Sequence, residues 1–155
     1  LAIVGAPLGG FITDQWRKKN KRARLLFPAI STLLSAIFLG IALWLTKGAV
    51  QYLFFLLMGV TVTAFLPAAI SVTQDVIHAG LRAVSYAVAV VVQNLLGASM
   101  APVVIGRLYD LYSIKTALAL LPFMLLLGAI LFFAGSRFYV NDVEKTEKIK
   151  LEAKV

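Results

Sequence analysis

The densest group of basic residues lies near the start of the chain, where one aspartate precedes a basic run. Residues 14–24 carry six positive charges and one negative charge. A basic cluster of this kind could contact nucleic acid or the anionic headgroups of a membrane. Because long uncharged stretches flank it on both sides, we expect a loop lying against anionic lipid and no nucleic-acid partner.

Asp14 has the most specific chemistry in this cluster. It is expected at the carboxyl end of a helix, where the helix dipole disfavours an anion by about 0.3 to 1 kcal/mol. Its partner would be Arg17 and Lys18, or the amino end of a helix beginning near Arg82, whose free N–H groups favour an anion. The second contact would exist only while the two helix ends are close, and so would act as a conformational latch. A plain solvated carboxylate is the third interpretation.

The sequence offers no set of residues suited to catalysis or metal binding. It contains no cysteine and one histidine, and it lacks a Ser-His-Asp arrangement and a glycine-rich phosphate loop. Asp75 and His78 are only marginal candidates for chemistry, because an isolated histidine has no metal-ligand spacing. We therefore expect no catalytic residue, no metal site, no cofactor and no enzymatic activity.

The composition is typical of a membrane protein. Of the 155 residues, 61% are hydrophobic and 14% are charged, and the mean hydropathy is +0.91. Soluble domains are about 45 to 50% apolar and about 25% charged. An ordinary cytosolic enzyme core is therefore excluded.

Charges mark the boundaries of the membrane spans, because a charge at the bilayer centre costs about 2.5 to 3.5 kcal/mol. The predicted spans cover about 1–13, 25–46, 49–72, 83–106 and 116–136. The last four reach the roughly 20 residues that cross a bilayer. We therefore predict an all-α integral membrane domain over residues 1–136, with four full helices and one truncated by the start of the chain. Residues 137–155 form a charged tail, either a short helix capped by Asn141 or a disordered segment.

The distribution of basic residues predicts the orientation. The side that holds the 14–24 loop and the tail carries twelve lysines and arginines, and the other side carries three. By the positive-inside rule the first side, and with it the C-terminus, is cytoplasmic. We expect the plasma membrane or a bacterial inner membrane.

Several short motifs occur in the order of a known family. The stretch Gly10-Phe-Ile-Thr-Asp14 followed by basic residues resembles the signature loop of the major facilitator superfamily. The later motifs are Leu81-Arg82-Ala83, Asn94-Leu-Leu-Gly97, Ala101-Pro102, Gly106-Arg-Leu-Tyr-Asp110 and Tyr139-Val-Asn-Asp142. Together they resemble the C-terminal half of spinster-type members, about helices eight to twelve of twelve. Gln15 departs from the loop pattern, because arginine is usual there.

This resemblance implies a function and a site. In the family, two six-helix halves enclose a substrate pathway and alternate between inward-open and outward-open states. It implies a cytoplasmic latch formed by Gly10, Asp14, Arg17, Lys18 and Arg82. The expected partners are an N-terminal half missing upstream in the same polypeptide, membrane lipids with anionic lipid at the basic loop, and a small-molecule substrate.

Polar residues near the middle of the spans are candidates for the substrate pathway. These are Gln93 and Asn94, together with Thr61 and Thr63. An amide inside the bilayer must bond to a neighbouring helix or face water, and both alternatives stay open. Successive helix positions differ by about 100°, so that Gln93 and Asn94 do not serve one face equally well. Because no ionisable residue falls well inside a full span, a proton-coupling residue is expected in the upstream part.

Glycines and prolines in the spans are expected to shape the helices. Small residues recur at four-residue spacing in Gly5 with Gly9 and in Gly97 with Ala101, a pattern that lets helices approach closely. Pro67 and Pro102 are predicted to bend their helices, because proline removes a backbone donor. For these residues and for Gly106 we favour packing or bending over ligand contact.

The sequence thus favours part of a secondary active transporter of the major facilitator superfamily. It would move a small organic or amphipathic solute by alternating access. The alternative is a polytopic membrane protein that does not transport, such as a membrane-enzyme subunit or an assembly factor.

Overall fold

The computed structural model describes residues 2–20, 22–75, 77 and 79–152. Within these residues the chain forms five helices, and a short 3₁₀ turn over Ala79–Leu81 precedes the fourth. The helices are α1 (Ala2–Arg17), α2 (Ala23–Trp44), α3 (Ala49–Asp75), α4 (Arg82–Leu111) and α5 (Ile114–Glu152). The predicted all-helical fold is therefore confirmed.

Four of the helices contain an apolar segment long enough to cross a membrane. The segments are Ala23–Trp44, Ala49–Val72, Arg82–Leu111 and Ile114–Tyr139, each of 22 residues or more. The predicted spans 25–46, 49–72, 83–106 and 116–136 fall on these segments within a few residues, except that α4 continues five residues further. Arg107 and Asp110 lie in that extension, because charges near a bilayer surface do not end a helix.

Helix α2 lies at the centre of the bundle and packs against α3 on one side and α5 on the other. Its buried residues are mostly small: Ala23, Leu25, Pro28, Ala29, Ser31, Thr32, Ser35, Ala36, Leu39, Gly40 and Ala42. On the α5 side, a Cβ added to Gly128 would lie 3.7 Å from the Thr32 side chain, and one added to Gly135 would lie 3.1 Å from Leu25. Small residues on both helices therefore set the distance between their backbones.

Helix α1 packs against α3 at two glycines. A Cβ added to Gly5 would overlap the Thr63 hydroxyl, and one added to Gly9 would overlap the backbone carbonyl of Ala64. One turn later, the buried Thr13 donates its hydroxyl hydrogen to the Gly9 carbonyl at 2.6 Å. The close approach expected from the Gly5 and Gly9 spacing is present.

Helix α4 lies at the edge of the bundle, and none of its residues is buried against the described chain. Its middle turns, Gln93–Ser99, are π-helical and join the α-helical parts Arg82–Val92 and Met100–Leu111. Pro102 follows three residues later and cannot donate a backbone hydrogen bond. π turns and prolines are the usual sites of helix bending, and the helix is irregular where bending was expected around Gly97 and Pro102. Pro67, in contrast, lies within the uninterrupted α3.

Gly97 and Gly106 are not approached by another described helix. A Cβ added at either position would meet nothing within 4 Å. A packing role for the Gly97 and Ala101 pair therefore requires a surface outside the described part of the chain, and stays a prediction.

Helix α5 continues beyond its apolar segment without a break. The helix runs through Asn141 and ends at Glu152. Asn141 therefore lies inside a helix and does not cap a new one, which corrects the expected separate helix in the 137–155 tail. At 1.5 Å per residue the part after Tyr139 extends about 20 Å.

Replacing Gly9 by alanine tests the contact between α1 and α3. We expect Gly9→Ala to lower the free energy of unfolding by about 1 to 3 kcal/mol, because the new methyl group meets the backbone of Ala64. The matched control is Gly106→Ala, which adds the same methyl group to open space and should leave stability equal or up to about 1 kcal/mol higher. Reversible unfolding in mixed micelles, followed by far-UV circular dichroism, measures both. Equal losses in the two variants would contradict the close approach.

Candidate functional site

A mainly apolar cavity lies between α3, α4 and α5 and has a volume of about 420 Å³. Its lining residues are Phe65, Leu66, Ala69, Ile70, Val72, Tyr86, Ala89, Val90, Gln93 and Phe132. Tyr86 and Gln93 contribute the polar groups of this lining, and the other side chains are apolar. A cavity of this kind suits a ligand that is mainly apolar and carries a few hydrogen-bonding groups.

One face of α4 closes the cavity. Tyr86, Ala89, Val90 and Gln93 follow the i, i+3, i+4, i+7 spacing of a helix face. They lie in the first half of α4, and the α3 residues of the lining lie in the second half of α3. The cavity is therefore in the half of the bundle nearer the α3–α4 connection, which is also the half that holds the basic loop between α1 and α2.

An aromatic pair joins α3 to α5 at the cavity. The ring centroids of Phe65 and Phe132 are 5.4 Å apart and the rings meet at 77°, an edge-to-face arrangement. The sequence interpretation did not identify this pair, because nothing in the spacing relates two residues of separate helices. Tyr86 was also missed, although it precedes Gln93 by seven residues and therefore shares its face.

The two neighbouring amides of α4 have different surroundings. Gln93 lines the cavity. Asn94 donates its side-chain N–H to the Val90 carbonyl of its own helix at 2.8 Å and is exposed. The expected difference between the two faces is present, and of the two residues the structure places Gln93 at the cavity.

Thr61 and Thr63 take part in helix packing and do not line this cavity, and their place in a substrate pathway stays a prediction. Ser31 donates its hydroxyl hydrogen to the Thr61 carbonyl at 2.6 Å, and the hydroxyls of Ser35 and Thr61 are 2.7 Å apart. The Thr63 hydroxyl bonds to carbonyls of its own helix and faces Gly5. Both threonines satisfy their polar groups at helix contacts, where an unpaired hydroxyl would be costly.

Asp14 pairs with a residue that the sequence interpretation did not consider. Its carboxylate is 3.8 Å from the guanidinium of Arg24, in the second residue of α2. Asp14 is 71% exposed and Arg24 only 14%. The ion pair thus connects the end of α1 to the start of α2 across the basic loop, which is short enough to bring the two residues together.

The other residues of the predicted latch are spread over two places. Arg17 and Lys18 lie at the end of α1, beside Asp14, and are exposed. Gly10 faces Pro67 of α3, whose Cβ would be 4.0 Å from an added Cβ. Arg82 is exposed at the start of α4. The described ion pair of Asp14 is the one with Arg24, and contact with Arg82 stays a prediction.

The described residues do not indicate a metal centre. Among them, no group of three or more histidine, cysteine, aspartate or glutamate residues could hold a metal ion. His78 lies outside the described residues, as does the side chain of Asp75.

Comparison with known proteins identifies relatives of this bundle. The chain is 28% identical over 163 residues to the sphingosine-1-phosphate transporter SPNS2 of Xenopus tropicalis, covering 96% of this chain and 32% of that protein. The transporter of the same name from Danio rerio is 28% identical over 161 residues, with coverages of 94% and 32%. The chain is a distant homologue of spinster-type members of the major facilitator superfamily. No family model matches it.

The homology to spinster-type transporters agrees with the architecture. The chain spans about a third of the length of the curated relatives it matches, and that third contains four candidate membrane spans. The resemblance carried by the Gly10 to Asp14 loop and the later motifs agrees with this distant homology. The chain is an integral membrane protein with several candidate spans.

The hydroxyl contact between α2 and α3 can be measured with a double-mutant cycle. We expect Ser35→Ala and Thr61→Val to show a coupling energy of about 0.6 kcal/mol in unfolding, and at most about 1.7 kcal/mol, as for hydrogen bonds between membrane helices. The control cycle pairs Ser35→Ala with Thr32→Val, because the Thr32 hydroxyl bonds to the Pro28 carbonyl of its own helix at 2.7 Å. Unfolding in mixed micelles should give no coupling there. Equal coupling in both cycles would refute the contact between helices.

Proposed function

We propose that this chain forms part of a secondary active transporter that moves an amphipathic organic solute by alternating access, and that it is not an enzyme. Two transporters match nearly the whole chain, and this supports the function class. The observation that carries the proposal is the mainly apolar cavity beside Gln93, bounded by three membrane helices.

The chemistry of the cavity supports an amphipathic substrate class. The relatives are named for sphingosine-1-phosphate, which joins a long apolar chain to a charged headgroup. In this chain, side chains such as Phe65, Ile70 and Val90 would contact an apolar chain, and the Gln93 amide and the Tyr86 hydroxyl would bond to a polar group. Burial of apolar surface would supply most of the affinity, and the polar groups would orient the solute.

Helix α4 is proposed to face the rest of the transporter. In such transporters the substrate site lies at the interface between repeats that move against each other. The outer side of α4 carries exposed apolar residues, among them Val88, Leu95 and Val103. We infer that the remaining parts of the transporter, including an N-terminal half, and membrane lipid cover this side. The π-helical turns Gln93–Ser99 next to Pro102 would let it bend beside the cavity.

The basic loop is proposed to lie on the cytoplasmic side against anionic lipid and to contain the latch. Its excess of lysine and arginine supports this orientation, and with it a cytoplasmic C-terminus, in the plasma membrane or a bacterial inner membrane. The Asp14 to Arg24 pair is long and its carboxylate is exposed to solvent, so it contributes about 0 to 1 kcal/mol. Asp14 could therefore exchange Arg24 for the helix start at Arg82 at small cost in another conformational state.

The neighbouring amides of α4 test the substrate cavity with a matched pair of variants. We expect Gln93→Ala to weaken the binding of sphingosine-1-phosphate to the purified chain in nanodiscs by about 2- to 12-fold, because one hydrogen bond contributes about 0.5 to 1.5 kcal/mol. Asn94→Ala removes the same type of group one position away and should leave affinity unchanged, since its amide bonds to its own helix. Equilibrium binding of the radiolabelled lipid measures both. Normal affinity in both variants would remove Gln93 from the site.

A transport assay tests whether this chain suffices. We expect vesicles that contain only residues 1–155 to show no uptake above protein-free vesicles, because one face of the proposed pathway would be open to lipid. Radiolabelled sphingosine-1-phosphate and a competing unlabelled excess measure specific uptake. Saturable uptake by these vesicles would show that the pathway needs no further part.

A further inference from the structure

A second cavity opens at the end of the bundle opposite the basic loop. It has a volume of about 680 Å³ and is bordered by the end of α2, the turn into α3 and the first turns of α3 and α5. Lys47 and Lys115 both line it, and its described lining contains no carboxylate. Two lysine side chains therefore line one cavity, and no acidic residue of its described lining balances their charge.

The helix dipoles add to this positive potential. Lys47 lies two residues before the start of α3, and Lys115 is the second residue of α5. The amino end of a helix carries a partial positive charge, so a lysine there is in an unfavourable position. Two exposed lysines at two such ends are therefore slightly unfavourable for the protein alone. An anion in the cavity would remove the cost.

Hydrogen bonds hold the turn that carries Lys47. The Gln51 side chain donates an N–H to the Ala42 carbonyl at 2.8 Å, which joins the start of α3 to the end of α2. Thr46 donates its hydroxyl hydrogen to the Ile41 carbonyl at 3.2 Å. Gly48 has a φ of 71°, a left-handed conformation that glycine adopts without strain. The backbone at Lys47 is thus fixed beside the cavity.

An apolar groove continues from this cavity along the membrane-spanning part of the bundle. The groove has a volume of about 240 Å³, lies between α2 and α5, and shares Trp44 and Leu45 with the cavity. Ile37, Ile41, Phe123 and Leu126 line its length. The ring centroids of Trp44 and Phe123 are 5.8 Å apart. The two rings lie where the lysine-lined cavity meets the apolar groove, and tryptophan is common at membrane surfaces.

We propose that the cavity and the groove together bind one anionic phospholipid, with its phosphate between Lys47 and Lys115 and an acyl chain in the groove. The two lysines favour a net negative headgroup over a zwitterionic one, whose own ammonium they would repel. A free phosphate ion would match the lysines and leave the apolar groove empty. The site is separate from the cavity at Gln93 and does not depend on the proposed transport.

Trp44 provides a local probe of this site. The chain has two tryptophans, so Trp16→Phe leaves Trp44 as the single fluorophore. The full 155-residue chain is placed in nanodiscs of phosphatidylcholine with a small fraction of brominated phosphatidylglycerol or of brominated phosphatidylcholine, since bromine quenches tryptophan on contact. We expect the brominated phosphatidylglycerol to quench Trp44 at a mole fraction about 25-fold lower, at about fivefold for each lysine. Equal quenching curves for the two lipids would overturn the proposal.

Matched charge variants test whether Lys47 and Lys115 cause the preference for phosphatidylglycerol. In the Trp16→Phe background, Lys47→Gln with Lys115→Gln should remove the preference, at about fivefold for each lysine. Lys18→Gln with Lys19→Gln removes the same charge from the opposite end and should leave it unchanged. Lys47→Arg with Lys115→Arg should retain it, which separates lost charge from altered folding. A preference that survives the first pair, or disappears equally in the second, would contradict the site.

Inorganic phosphate distinguishes the lipid from a soluble anion. At constant ionic strength, phosphate added to nanodiscs of phosphatidylcholine alone should leave Trp44 emission unchanged. It should also leave the preference for brominated phosphatidylglycerol unchanged. If phosphate shifts the emission and abolishes the preference, the cavity binds a soluble anion and the lipid assignment is wrong.

Discussion

Close contact between helix backbones along α2 is the interaction on which the rest of the structure depends. Lipid tails are as apolar as leucine side chains, so moving an apolar side chain from lipid to a helix contact gains little free energy. Membrane helices therefore associate through van der Waals packing and hydrogen bonds. Both require short distances, and α2 provides them because its buried positions are mainly alanine, serine, threonine and glycine. The hydroxyls of Ser31 and Ser35 then reach Thr61 of α3, while Thr32 lies against Gly128 of α5.

The same packing decides where a cavity can form. Helix α3 uses one face for α2 and another for α1 at Gly5 and Gly9. Its remaining face is left with larger side chains such as Phe65, which contacts Phe132 of α5. Helix α4 meets this face with no buried residue and with an irregular middle. A cavity therefore lies where the closely packed helices end and the loosely attached one begins.

Charge is arranged differently at the two ends of the bundle. At one end, six basic residues follow Asp14 in the chain, and the Asp14 carboxylate pairs with Arg24. At the other end, two lysines face one cavity beside the amino ends of two helices. The first arrangement supports the proposed orientation and the proposed exchange of the Asp14 partner. The second places two positive charges on one cavity, which supports the proposed binding of a single anionic lipid.

The sequence by itself determined the class of protein, the helical spans and the distant family, and it located the Gly5 and Gly9 contact. These follow from local identity, because the cost of a charge in lipid and the size of a glycine do not depend on neighbouring helices. The small-residue surface of α2 was also readable from the spacing of Thr32, Ala36 and Gly40, and was overlooked. Only the tertiary structure decided that Gln93 reaches the cavity, that Thr61 lies in packing, that Asp14 pairs with Arg24 and that α5 continues through Asn141. Each of these depends on how a helix is rotated and on what lies opposite, which all the helices determine together.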